Sequence, residues 1–208
     1  MKRIPPKHLD IIVADPPYGY KYKSNMRKYD KHDVIYGDDK FTFSPDFFWD
    51  KLKSTGAMYV FLSRKNLLPG NKDIYFNDKR VRNIIVWDKM KHGMGDLDKD
   101  YGDAYEVILF LPKPKFSFIG KRWSNLWKIP AVQGKHPAQK PVEVIKRIVA
   151  ECPPDGLVYD PYMGSGATAL ACEDLNLKWV GSEILEEWYN YALERVEIRK
   201  RQLNLFGA

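Results

Sequence analysis

Two stretches of this chain hold the residue types that chemistry uses, and they lie far apart. The first is Asp15-Pro16-Pro17-Tyr18, where the apolar run Ile11 to Ala14 breaks into an acid, two prolines and an aromatic. Neither proline can donate to a strand ladder, and each pushes the residue before it out of helical space, so the chain leaves a sheet abruptly and extended. An acid and a ring are then held stiffly at a strand's end. The second stretch, Gly156 to Ile184, reads as strand, glycine turn, small-residue helix, second strand and terminal acid. Gly164 and Gly166 let the backbone pass close to a ligand, and Glu183, ending the next strand, can bind ribose hydroxyls, as in one half of a nucleotide-binding α/β unit. The third glycine of the dinucleotide fingerprint is missing, Leu170 following in an Ala-rich helix, and no Walker lysine is present. A nucleoside is therefore favoured over a pyrophosphate.

Positioning these groups takes a sheet with helices between its strands. Apolar runs bounded by turn residues recur at Ile11 to Ala14, Ala57 to Leu62, Asn83 to Trp87, Glu106 to Leu111, Gly156 to Tyr159 and Trp179 to Val180, and read as mostly buried strands. Helix-like segments occupy Ser44 to Lys53, Pro141 to Glu151, Ala167 to Leu175 and Leu185 to Gln202. The pattern is that of a layered α/β fold. Lys21 to Asp39 is polar, charged and tyrosine-rich without a clean period, which marks a long loop leaving the proline turn. Pro112 to Lys135 is also irregular and carries Lys113, Lys115, Lys121, Arg122, Trp123, Trp127 and Lys128, a mixture of cations and aromatics suited to a nucleic acid.

Composition sets the outer bounds. With 208 residues, 44% of them hydrophobic, the chain has ample material for one packed domain over 1–208. Lys and Arg outnumber Asp and Glu by 34 to 27, for a net charge of +7, which favours a polyanionic partner. Cys152 and Cys172 lie in apolar segments without metal-ligand spacing, and the opening MKRIPPKHLD lacks the apolar core of a secretory signal. No apolar stretch approaches the roughly 20 residues of a membrane helix. A soluble, metal-free, cytoplasmic protein is expected.

Three motifs carry a family resemblance. Asp15-Pro16-Pro17-Tyr18 resembles the catalytic tetrapeptide of the amino-group DNA methyltransferases, which methylate exocyclic amines of adenine or cytosine with S-adenosylmethionine. Asp160-Pro161-Tyr162-Met163-Gly164-Ser165-Gly166 resembles their cofactor turn, and His136-Pro137-Ala138-Gln139-Lys140-Pro141 the stretch preceding it. Gly56 to Phe61, Trp87-Asp88-Lys89 and Glu106 to Phe110 are weaker echoes. With the catalytic motif first and the cofactor motif last, the order resembles the permuted beta class. The resemblance implies a Rossmann-like fold: a mixed, mostly parallel sheet with one antiparallel strand and helices on both faces.

It also implies roles. Asp15 and the carbonyl of Pro16 would each accept a hydrogen of the target amine, Pro17 would stiffen the turn, and Tyr18 would stack on a base that has left the duplex. Asp160, Pro161, Tyr162, Gly164, Ser165 and Gly166 would approach the cofactor, with Glu183 on its ribose and Asp15 and Pro16 near its methionine end. His136, Gln139 and Lys140 would add cofactor contacts at a helix start. DNA would meet Lys21, Lys23, Arg27, Lys28, Lys121, Arg122 and Trp123. An Asp at the first catalytic position is commoner among adenine enzymes and a Ser among cytosine enzymes. Cytosine-N4 or RNA methylation, or a non-catalytic subunit of a pair, are the alternatives; a partner subunit or homodimer stays open. The sequence departs from the family in Tyr162 for Phe and Ala167 for Thr. Only about ten residues precede the catalytic strand, leaving the cofactor adenine without an assigned contact, and Pro112 to Lys135 is too short for a separate target-recognition domain.

Overall fold

The computed structural model of the chain describes residues 4–19, 37–38, 43–68, 78–93 and 98–206. Lys21, Lys23, Arg27 and Lys28, and most of the long loop that holds them, lie outside the described residues. The apolar runs form β1 (Leu9–Ala14), β2 (Leu52–Ser63), β3 (Asn83–Asp88), β4 (Tyr105–Pro112), β6 (Leu157–Asp160) and β7 (Lys178–Gly181). A short strand that the apolar pattern does not announce, β5 (Leu126–Lys128), completes one sheet in the order β5-β3-β4-β2-β1-β6-β7.

β1 pairs in parallel with β2 and β6, β6 with β7, and β3 with β5. Among the described strands β4 alone runs the other way, antiparallel to both β2 and β3. The fold is the expected Rossmann-like mixed sheet. Its polarity matters for the site: Asp15 follows the last residue of β1, Asp160 ends the adjacent β6, and β4 begins where the parallel strands finish.

Strands in the middle of the sheet are apolar on both faces because both are covered. On one face Ile11, Val13, Tyr59, Phe61 and Ile108 pack against α2 (Val142–Val149) and α3 (Ala167–Asp174). On the other, Ile12, Ala14, Met58, Val60 and Leu109 pack with Phe43 and with Phe48 of the one-turn helix α1 (Asp46–Trp49). The long helix α4 (Glu186–Phe206) lies against α3. The expected helix Ser44 to Lys53 stops after that one turn, because Lys51 N–H closes on Phe48 O and the chain at Leu52 is already paired with Leu9. A buried polar group locks the centre of the sheet: Asp10 accepts from Lys53 Nζ at 2.7 Å and from Leu157 N–H at 2.9 Å, tying β1 to both neighbours.

Candidate active site

At the end of β1 the two prolines bring Asp15 and Tyr18 to face each other. The Tyr18 hydroxyl stands 2.9 Å from Asp15 Oδ1 and 3.0 Å from Glu106 Oε2, so its one proton serves one carboxylate at a time. Lys140 completes the cluster, its ammonium 2.6 Å from Asp15 Oδ2 and 3.3 Å from Glu106 Oε2 and also facing the Tyr18 and Phe61 rings. Glu106 is drawn in by strand polarity, since β4 starts at the end where β1 stops. Lys89 Nζ lies 3.6 Å from its other oxygen.

Two acids, one ammonium and one phenol thus share a small, nearly dry volume. Burial pushes the Asp15 carboxyl up; Lys140 pulls against it and Glu106 adds to the rise. Burial, then the two carboxylates, push the Tyr18 hydroxyl well above its usual range, so it keeps the proton it donates to them. Burial works against the Lys140 charge, but Asp15 and Glu106 outweigh it and hold the ammonium above its ordinary value. Asp15 keeps 22% of its side-chain surface open, so its carboxylate is reachable from outside.

The turn itself is clamped from below. Asn66, fully buried in the 3-10 turn Arg64–Leu67 after β2, donates to Tyr18 O at 3.1 Å and accepts from Ser63 N–H at 3.0 Å. Gly19 N–H donates to Asp38 at 2.7 Å.

The glycine turn stands beside this cluster at the end of β6. Gly164 and Gly166 have φ of 47° and 78°, the left-handed region that a side chain disfavours. Gly166 also lies against Ala192 of α4, where a Cβ would come within 2.9 Å of the alanine methyl. Asp160 accepts from Tyr162 N–H at 2.9 Å and from Thr168 Oγ1 at 2.5 Å, which fixes the turn's entry. Burial pushes its carboxyl up to about 7, despite those two hydrogen bonds. Glu183, just past β7, accepts from Gly164 N–H at 2.8 Å and from Ile184 and Leu185 N–H at 2.9 and 3.0 Å, so it braces the turn against the start of α4. Pro161 and Tyr162 are half-buried in the turn and Ser165 is buried beneath it, its carbonyl held by Arg195.

The histidine stretch folds over the same turn. His136 Nε2 lies 3.3 Å from where a Cβ on Gly164 would stand, its ring sits edge-on to Trp188 at 4.5 Å, and Nδ1 accepts from Ala138 N–H at 3.2 Å. Burial, with Lys140 and Arg195 nearby, lowers its pKa to about 4, which keeps it neutral. Gln139 Oε1 is buried without a hydrogen-bond partner among the described residues. Asp15, Pro16, His136, Gln139, Lys140, Asp160 and Glu183 therefore converge on one end of the sheet. Within that group Lys140 points at Asp15. Arg122 and Trp123 do not join it: they line a cavity near the start of β3, with Lys121 Nζ over the Trp123 ring.

Sequence reasoning passed over Glu106, Asn66 and Thr168 as site residues. An acid opening an otherwise apolar strand was the available signal for Glu106. The spacing Ser63 to Asn66, a capping box in which each side chain reaches the other's backbone, was the signal for Asn66. For Thr168 there was none.

A family model described as DNA methylase matches residues 9–194. Type II methyltransferase M2.MboI of Moraxella bovis is 26% identical over 229 residues, covering 93% of this chain and 80% of that protein. DNA adenine methyltransferase YhdJ of Escherichia coli (strain K12) is 26% identical over 249 residues, covering 95% and 79%. Among solved structures, the M1.HpyAVI-SAM complex superposes with a TM-score of 0.64 at 24% identity, over 90% of this chain and 89% of that one. The cytosine-N4-specific PvuII DNA methyltransferase superposes with a TM-score of 0.65 at 15% identity, over 97% and 88%.

Proposed function

The chain belongs to the DNA methylase family, and on that premise we propose that it transfers a methyl group from S-adenosylmethionine to the exocyclic amine of adenine in DNA. The observation that carries the reading is the Asp15 carboxylate at the end of β1, facing Tyr18 and charge-balanced by a buried lysine. An Asp rather than a Ser at this position supports adenine over cytosine, as does the similarity to the Escherichia coli protein named an adenine methyltransferase.

The residues around the glycine turn fit the cofactor. The orphaned acceptor Gln139 Oε1 suits a ligand rich in donors, half-buried Gly164 leaves the tip of the turn without a side chain of its own, and Glu183 stands at the strand end where ribose hydroxyls are bound. When bound, S-adenosylmethionine supplies an electrophilic sulfonium methyl. Asp160 to Gly166, Glu183, His136 and Gln139 would hold it.

The protein's own task is to make a poor nucleophile attack. The amine lone pair is delocalised into the base, and acceptors at Asp15 and the Pro16 carbonyl draw its two hydrogens toward tetrahedral geometry. Lys140 keeps Asp15 ionised, hence an acceptor, in surroundings that favour its neutral form. Tyr18 is the stacking surface; the base, flipped out or already single-stranded, replaces contacts that the ring makes in this structure. Once the methyl is transferred, the nitrogen sheds a proton, and a carboxylate whose pKa is raised is suited to take it. The short Pro112 to Lys135 segment supports low sequence specificity within a single catalytic unit, acting on cytoplasmic DNA.

The test is transfer of labelled methyl to unmethylated DNA, with the product nucleoside identified by mass and Asp15→Ala run in parallel. Methyladenine that disappears in the variant supports the reading. Methylcytosine would replace adenine as the substrate, and equal activity of Asp15→Ala and wild type would remove Asp15 from the chemistry.

A further inference from the structure

The sheet holds a second concave site. A cavity of about 610 Å³ opens on the face covered by α2, lined by Tyr59, Ile85, Phe110, Phe118, Trp123 and Trp127 together with Arg82, Arg122, Arg147 and Glu151. That volume lies within the range of small-molecule pockets. Arg82, Asn83 and Phe110 place its outer rim near the start of β3, and Phe110 lies four residues along β4 from Glu106, so roughly 13 Å of strand separates that rim from the reacting end.

Its charge is unbalanced. Among the described residues, Arg64, Arg80 and Arg199 are each paired with aspartates, but none of the three arginines of the cavity makes an ion pair. The one carboxylate present, Glu151, accepts from Ile119 N–H at 2.8 Å. Arg147 instead lies over the Trp123 ring at 4.4 Å and the Trp127 ring at 5.6 Å. Tyr59 is 3% exposed. Phe118 and Trp123 remain 45% and 41% exposed, with Phe118 buttressed by Phe110 and Phe116.

Guanidiniums without counter-charges beside partly exposed aromatic rings match a flat ring joined to an anion. We propose that this cavity binds one nucleotide of a single-stranded DNA segment, the base against Phe118 and Trp123 and the phosphate among Arg82, Arg122 and Arg147. The choice of polymer rests on the methyltransferase reading; the site itself does not. A strand held here and at Asp15 spans several nucleotides, which anchors the substrate away from the reacting base.

The probe is fluorescein-labelled (dT)8, which offers no adenine, titrated in the presence of cofactor into wild type, Asp15→Ala, Arg122→Gln and Trp123→Ala. Both cavity substitutions fall on exposed side chains, so folding persists, checked by unchanged melting. We expect affinity to fall on the order of tenfold in each cavity variant and to be retained in Asp15→Ala. The dependence of log K on log salt should become shallower by roughly 0.7 in Arg122→Gln, as for one lost phosphate contact. Unchanged affinity and salt slope in both cavity variants would overturn the proposal. So would dTMP or inorganic phosphate binding as tightly as the octamer, which would assign the cavity to a free small anion. Intact (dT)8 binding in a protein that transfers no methyl would uphold this site while removing the proposed reaction.

Discussion

Lys140→Met is the perturbation that most directly tests the site's electrostatics. Methionine keeps much of the side-chain volume but removes the ammonium that stands 2.6 Å from Asp15 and 3.3 Å from Glu106. Half-buried Asp15 then faces Glu106 and a phenol with no cation to compensate its charge. Burial already pushes Asp15 up, so without the ammonium a proton settles on Asp15. At an effective dielectric of about 20, opposite charges ~4 Å apart attract by about 4 kcal/mol, and roughly 1.4 kcal/mol is tenfold in protonation. Losing the pair therefore lowers the ionised fraction of Asp15 by up to about a thousandfold. The assay is kcat for methyl transfer at saturating DNA across pH 6 to 9, with cofactor Kd measured beside it. We expect kcat at pH 7 to fall by about two to three orders of magnitude and to recover as pH rises, because the acceptor must be ionised. Cofactor affinity should hold. Breaking a buried pair by removing one partner costs about 3–5 kcal/mol, so rates are taken well below the variant's melting temperature. A wild-type kcat with an unmoved acid limb would refute the argument; lost cofactor affinity at unchanged kcat would make Lys140 a cofactor contact instead.

Asp160→Asn should flatten the pH dependence of stability. Its carboxyl is raised from 3.8 to about 7 in the fold, so its contribution is fully present below about pH 4 and is lost as pH climbs through 7. The variant should match wild type in Tm near pH 4 and exceed it at pH 8, by roughly 2–4 °C per kcal/mol regained; an equal deficit at both pH values on calorimetry would contradict this. Asn66→Leu leaves Ser63 N–H and Tyr18 O without a partner, at about 1–3 kcal/mol each. Tm and kcat should both fall with cofactor Kd unchanged, and a lower Tm with an intact kcat would confine Asn66 to a structural role.

The strands were legible because each is a dense apolar run, and a run buried on both faces needs no partner to be recognised. β5 was not: its three residues sit among charges, and it forms because Trp87 Nε1 donates to Ile129 O and Trp127 Nε1 to Ser124 O, pinning the returning chain beside β3. Ser44 to Lys53 has the composition of a helix, but pairing of Leu52 with Leu9 claims its end for the sheet. In the candidate site, the proline turn and glycine turn could be read because local backbone geometry demands those residue types. The orientation of Lys140 could not. Its partners lie 125 and 34 positions away in the chain, and only strand order and the reversal of β4 bring all three together.

That reversal also sorts the loops by what a change in them can disturb. Because β4 descends while its neighbours ascend, the described parts of the connection entering it, residues 89–93 and 98–104, belong to the rim that holds Asp15, and Arg64 at the end of β2 already grips Asp100 and Asp103 there. The connection leaving it, 113–125, starts from the far rim. Residues inserted before β4 would crowd the reacting end, while residues inserted after it would extend the molecule from its other end and leave the acid's surroundings untouched. One strand's direction thus separates added length that meets the chemistry at Asp15 from added length that meets the cavity of Phe118, Arg122 and Trp123 instead.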